Sequence, residues 1–234
     1  MSLMKNKHVV IAALASLIAA VAVFVIIIVN IKVNQNESKI SLLNTDAKRC
    51  VRIFTDESCG SGVILEVTDD RVLVVSNLHV LSDWNENGVV EFMNGTRCFG
   101  QVFGADEGYD LCFLEIPRSE LVNADLYDYL KDESMQSFHK AINDNSMDTV
   151  DFHTYYLFGD SGASCLHGKV SLKKEYIYEL EKDMLIGKCE TFEGMSGAPA
   201  FDDEGNLIGI ICAGGDNDTV IIVAYEDIAK ALNS

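Results

Sequence analysis

Three side chains in this sequence could together move a proton and attack a carbonyl carbon. Ser196 lies in Glu193-Gly194-Met195-Ser196-Gly197-Ala198-Pro199, between two glycines and ahead of an apolar run, Asn206 to Cys212. A nucleophilic hydroxyl needs an exposed turn, a base beside it and free N–H groups to hold the oxyanion that forms. Gly194 has no side chain to keep its N–H from close approach. His79 stands just past the apolar stretch Val74-Val75-Ser76-Asn77-Leu78. Asp110 opens another, Asp110-Leu111-Cys112-Phe113-Leu114-Glu115-Ile116. Singly, each has a plainer reading: a tight loop, a satisfied polar residue at a strand end, a turn aspartate. In the order His, Asp, Ser, each at the edge of a strand, they form a set that chance seldom supplies.

The surrounding elements must place them. From Cys50 the chain runs in short apolar stretches separated by turn residues. They are Val51–Phe54, Gly62–Val67, Val72–Ser76, Val89–Phe92, Cys98–Phe103 and Leu111–Ile116. Asn94-Gly95 is a two-residue hairpin signal. Ser119 to Val150 is charged and poor in β-branched residues, and reads as a helical or irregular connector. Strands resume at Tyr155–Phe158, Cys165–Leu172, Tyr176–Tyr178, Met184–Thr191, Asn206–Cys212 and Thr219–Val223, and Tyr225–Leu232 reads as a closing helix. Short strands with regular turns predict an all-β fold of two antiparallel β-barrels, residues 47–118 and 151–223, joined by the connector 119–150. Residues 224–234 would carry the C-terminal helix.

Upstream, Val9 to Val29 is apolar and uncharged. Its length suits the roughly 20 residues that cross a bilayer as a helix. Lys5 and Lys7 precede it, and no small-residue cleavage pattern follows. The expectation is one transmembrane signal anchor with residues 1–8 cytoplasmic, a polar stalk at 30–46 and the remainder extracytoplasmic. The formal net charge of −18 argues against nucleic-acid binding, which needs clustered Lys and Arg.

The chain resembles the chymotrypsin-fold serine proteases, closest to the HtrA/Deg-type trypsin-like peptidases. Gly60-Ser61-Gly62-Val63-Ile64 followed by Val74–Val80 is similar to that family's first-barrel pattern. Asn94-Gly95 through Asp106 to Asp110-Leu111 is similar to its hairpin before the aspartate. Gly194 to Pro199, then Gly205-Asn206-Leu207-Ile208-Gly209-Ile210, is similar to its serine loop and next strand. The resemblance covers Cys50 to Leu232 and is weakest across Ser119–Val150. It implies that Ser196 attacks the scissile carbonyl, His79 takes and returns the proton, and Asp110 orients the imidazole. The N–H groups of Gly194 and Ser196 would form the oxyanion hole, and Cys212-Ala213-Gly214 the edge that pairs with substrate backbone. It implies protein or peptide substrates and no cofactor. Met195 replaces the aspartate by which digestive enzymes capture a freed amino terminus, so that activation route is not expected. Ser-Gly-Ala-Pro stands for the usual Ser-Gly-Gly-Pro, and no PDZ domain is expected after the protease.

Other residues carry open readings. Glu190, six before Ser196, would favour Lys or Arg side chains if it faced the pocket; a strand glutamate ordinarily faces water. His167 could line the pocket or be structural. Asp202-Asp203-Glu204-Gly205-Asn206 reads as a hairpin turn rather than a metal loop. Six of the seven cysteines flank hairpins, which suggests the pairs Cys50–Cys59, Cys98–Cys112 and Cys165–Cys189, with Cys212 left over; buried free thiols are the rival reading. An α/β-hydrolase would need Asp and His after its serine, and here both precede it. The expectation is a membrane-anchored serine endopeptidase; the alternative is a catalytically silent protease-fold binding module.

Overall fold

The computed structural model describes residues 45–56, 58–81, 88–121, 130, 149–158 and 162–234. The run Val9–Val29, all but the end of the expected stalk, and most of the connector lie outside the described residues. Among the described residues, no helix is long and apolar enough to cross a membrane.

The first barrel holds β1 (Cys50–Phe54), β2 (Cys59–Val67), β3 (Arg71–Asn77), β4 (Val89–Phe92), β5 (Arg97–Phe99), β6 (Gln101–Asp106) and β7 (Leu111–Pro117). They pair in the order β5-β4-β1-β2-β3-β7-β6. β5 and β6 stand at opposite ends of that order, yet only Gly100 separates them in the chain. The sheet must therefore curl until its edges meet. The second barrel holds β8 (Thr149–Phe158), β9 (Gly162–Ser171), β10 (Glu175–Ile177), β11 (Lys182–Lys188), β12 (Pro199–Phe201), β13 (Leu207–Gly214) and β14 (Thr219–Ala224). Its order is β10-β11-β14-β13-β12-β8-β9, and β9 pairs back onto β11, which closes the ring. The expected all-β architecture of two barrel-like sheets is the architecture observed.

Alternation explains the cores. Val51 and Ile53 of β1, Val90 and Phe92 of β4, and Val72 and Val74 of β3 point into the first barrel. Phe152, Val170, Leu185, Val220 and Ile222 fill the second. Each such side chain, fully buried, contributes roughly 1.5–3 kcal/mol. β3 is buried on both faces from Val72 to Asn77, which accounts for its unbroken apolar run.

Some expectations shift. The stretch Cys98–Phe103 breaks at Gly100, where the sheet turns its corner. β8 begins at Thr149, inside the expected connector. The strand expected over Met184–Thr191 ends at Lys188, because Glu190 and Thr191 already lead into the serine loop. β12 went unread: three residues headed by proline carry no strand signal. A short helix, Thr45–Arg49, starts inside the expected stalk and docks on the second barrel. There Asp46 Oδ2 lies 3.1 Å from His153 Nε2, and Arg49 Nη1 donates to the Gly205 carbonyl at 3.1 Å. The C-terminal helix, Tyr225–Leu232, is as expected. Its buried Asp227 accepts from Lys174 Nζ at 2.5 Å.

The cysteine pairs are corrected: all seven described cysteines are free thiols. Cys50 stands opposite Val63, and Cys59 opposite Phe54, so the two are at different ends of their hairpin. Cys98 faces Val90, whereas Cys112 faces Ser76 and Ala105. Cys165 faces Tyr155, and Lys188 faces Lys169, which puts Cys189 out of level with Cys165. Flanking a turn in sequence does not make two residues directly opposed, and a disulfide needs that proximity.

Candidate active site

Asp110 is the hub of the seam between the barrels. β3 and β7 are antiparallel neighbours with Asn77 opposite Leu111. The residues just past those two ends, His79 and Asp110, therefore meet. Asp110 closes a turn in which Asp106 Oδ1 accepts the Tyr109 N–H at 3.0 Å. Its φ of 54° is in the left-handed region, which aspartate tolerates better than most residues. The Asp110 carbonyl accepts the Leu78 N–H at 2.9 Å and the Asn77 Nδ2 amide at 3.1 Å. These bonds tie it to the 3-10 turn Leu78–Val80 that carries His79.

The Asp110 carboxylate then grips His79 twice. Oδ1 accepts the His79 backbone N–H at 2.9 Å, and Oδ2 lies 2.5 Å from ring Nδ1. With the proton on Nδ1, the opposite nitrogen Nε2 is left as the acceptor. The Asp110 hydrogen bond raises the His79 pKa above the ordinary 6.5, against a smaller lowering by burial. A third donor reaches Oδ2 from the other barrel: the Cys212 thiol at 3.7 Å. Burial, with help from the Asp110 charge, pushes that thiol up to about 12, so it is a neutral donor throughout the working pH range.

The serine loop connects β11 to β12. Two tight turns form it, Met195 N–H to Phe192 O at 3.1 Å and Ala198 N–H to Met195 O at 2.8 Å. Met195 is buried in the second core, so the residue before the serine is an apolar anchor. The Gly197 N–H donates to Ile211 O at 2.7 Å, which fastens the loop to β13. From the first barrel, the Ser61 N–H donates to Ser196 O at 2.8 Å and Ser61 Oγ to Gly194 O at 2.7 Å. Ser76 Oγ, on the strand leading to His79, donates to Ser61 O at 2.7 Å. Ser196 and His79 are thus delivered to one seam. Gly197 has a φ of +85°, and a Cβ there would stand 2.0 Å from Ser61 O; only glycine lets the loop lie this close.

The Gly194 N–H, the Ser196 N–H and the Ser196 hydroxyl donate to no described residue. Among the described residues, no hydrogen bond joins Ser196 to His79.

The remaining expected site residues fall as follows. Gly197 and Ala198 bond β13 through Ile211; beyond it, Ala213 and Gly214 pair with Ile221 and Val220 of β14, and among the described residues no strand pairs with Cys212-Ala213-Gly214 on the side that faces β12. Glu190 is exposed. It follows Cys189, whose N–H donates to Asp218 O at 2.8 Å. His167 is not brought to the seam: it neighbours Cys165 and His153, near the opening helix. Asp202 Oδ1 accepts the N–H groups of Glu204 and Asn206, which makes that acidic stretch a hairpin turn. Sequence reasoning missed the Cys212 thiol as a partner of Asp110, and Ser61 as the loop's anchor. Ser61 was visible only as part of a Gly-Ser-Gly pattern.

Residues 60–210 match the family described as trypsin-like peptidase domain. An HtrA-like serine protease of Staphylococcus aureus (strain USA300) is 24% identical over 164 residues, covering 68% of this chain and 20% of the relative. The chain thus spans about a fifth of the length of that curated relative (20%). The inactive form of the Rv3671c protease superposes with a TM-score of 0.58 at 17% identity, over 80% of this chain and 89% of that one. A serine endoprotease from Yersinia pestis gives 0.61 at 19% identity, over 80% and 62%. At those identities the structures speak to the fold alone. The family match takes in both barrels and well over half of the sequence, and by it this chain belongs to the trypsin-like peptidase domain family.

Proposed function

We propose that this chain is a membrane-anchored serine endopeptidase acting through Ser196, His79 and Asp110. The observation that carries the reading is the double grip of the Asp110 carboxylate on His79, across the seam where the serine loop is seated. In this scheme His79 Nε2 takes the Ser196 proton as the hydroxyl attacks the peptide carbonyl. Asp110 holds the Nδ1–H tautomer and stabilises the imidazolium. His79 then returns the proton to the leaving amine, and water repeats the cycle on the acyl-enzyme. The Gly194 and Ser196 N–H groups receive the oxyanion; losing one such donor costs about 3 kcal/mol of transition-state stabilisation. The substrate lies along Cys212-Ala213-Gly214, with Glu190 on the wall beside it. The uncharged run Val9–Val29 is the anchor, with the peptidase domain outside the cell membrane.

The test is labelling of the full chain with a fluorophosphonate. Ser196→Ala abolishes labelling and casein cleavage, whereas folded wild-type protein that never labels moves the reading to a silent binding module. Anchoring is tested separately: the chain stays in the membrane pellet after alkaline carbonate washing, and external protease digests its domain on intact spheroplasts.

A further inference from the structure

The oxyanion position depends on the orientation of one peptide plane, Glu193–Gly194. In a trans peptide the C=O and the following N–H point in opposite directions. Where the Glu193 carbonyl is held therefore decides where the Gly194 N–H points. Glycine at 194, with φ +89°, gives this plane little resistance to turning over. Turned over, it would aim a carbonyl oxygen where a donor is needed, and that oxygen would repel the developing charge.

The loop does not hold this plane by itself. Tyr156, on β8, donates its hydroxyl to the Glu193 carbonyl at 2.6 Å. Its ring stacks on Phe192, with centroids 5.7 Å apart and planes 17° from parallel. The next carbonyl, Gly194 O, is held by Ser61 Oγ from the first barrel. Two successive carbonyls are thus held by donors from different barrels, which leaves the Gly194 N–H without a described partner. We infer that Tyr156 is a positioning residue that latches the Glu193–Gly194 peptide in its oxyanion-binding orientation. This rests on the peptidase reading above.

Tyr156→Phe keeps the ring and its stack and removes only the latch. In the full chain, kcat for casein and the rate of fluorophosphonate labelling of Ser196 both fall about fivefold to tenfold, the population factor one neutral hydrogen bond supports. KM stays at its wild-type value and the melting temperature falls by no more than a few degrees, the share of one hydrogen bond, because the ring keeps its packing. Phe192→Leu, which takes away the stack, lowers labelling in the same direction. Unchanged labelling in Tyr156→Phe overturns the inference and leaves the peptidase reading standing. So does a loss accompanied by a raised KM or by a melting temperature lowered by more than a few degrees, since the role would then be structural. Folded wild-type protein with no labelling overturns both.

Discussion

Gly197→Ala probes whether the serine loop is pinned between the barrels. The new methyl would stand 2.0 Å from Ser61 O and 2.6 Å from Ser76 Oγ. Both are held: Ser76 Oγ donates to Ser61 O, and Ser61 sits mid-strand in β2. Neither can swing aside as a flexible side chain could. The left-handed φ adds roughly 1–2 kcal/mol for a residue with a Cβ, and overpacking a tight site adds about 1–3 kcal/mol. The sum, about 2–5 kcal/mol, is a large share of a domain's typical stability. The cheapest relief is for the loop to lift off the first barrel, which breaks the Ser61–Ser196 bond and moves Ser196 from His79. Urea unfolding of the full chain should show a clearly lower midpoint, and fluorophosphonate labelling should fall at least about a hundredfold, as it does when reacting groups are misplaced by about 1 Å. A variant that keeps both the wild-type midpoint and the wild-type labelling rate would refute the claim that this close approach positions the serine.

Further outcomes follow from three other contacts. Because Asp110 raises the His79 pKa, the ascending limb of kcat/KM against pH should have its midpoint above 6.5 in the free enzyme, where the base must be neutral. Asp110→Asn should move that midpoint down and lower kcat by roughly 10⁴, measured on casein across pH. The charged His79–Asp110 pair should add stability below the ordinary histidine pKa and lose it as pH rises through the raised one. The gain is small, since half of the imidazole is exposed. Cys212→Ala should cut kcat about threefold to tenfold with little change in melting temperature, and Cys212→Ser, which restores a donor, should recover most of the loss; equal rates in all three proteins would remove the thiol from the site. Asp227→Ala should cost about 1–3 kcal/mol in urea unfolding, because it removes the buried acceptor of Lys174 and leaves that ammonium only the more exposed Glu226 carboxylate at 3.3 Å.

The residue types carried a good deal of this. Alternation placed most strands of both barrels, and the turn residues around them set their ends within a few positions. His79, Asp110 and Ser196 stood out because each sits where an apolar run starts or stops, and strand ends are where a sheet presents side chains to a cleft. Where alternation fell silent, so did the reading. β12 is three residues behind a proline, and the start of β8 hides among charged residues.

Composition, period and order were enough to specify two barrels and to single out His79, Asp110 and Ser196 as candidates for shared chemistry. They act over a few residues, where side-chain direction follows directly from backbone geometry. Contacts between the barrels were decided by folding alone: Cys212 meets Asp110 across 102 positions, and Ser61 meets Gly194 across 133. The same limit applies to the cysteines, whose even spacing about turns suggested bridges that the strand register does not permit. No local pattern records which two distant edges will face each other, because that depends on how both barrels close and where their surfaces come to rest.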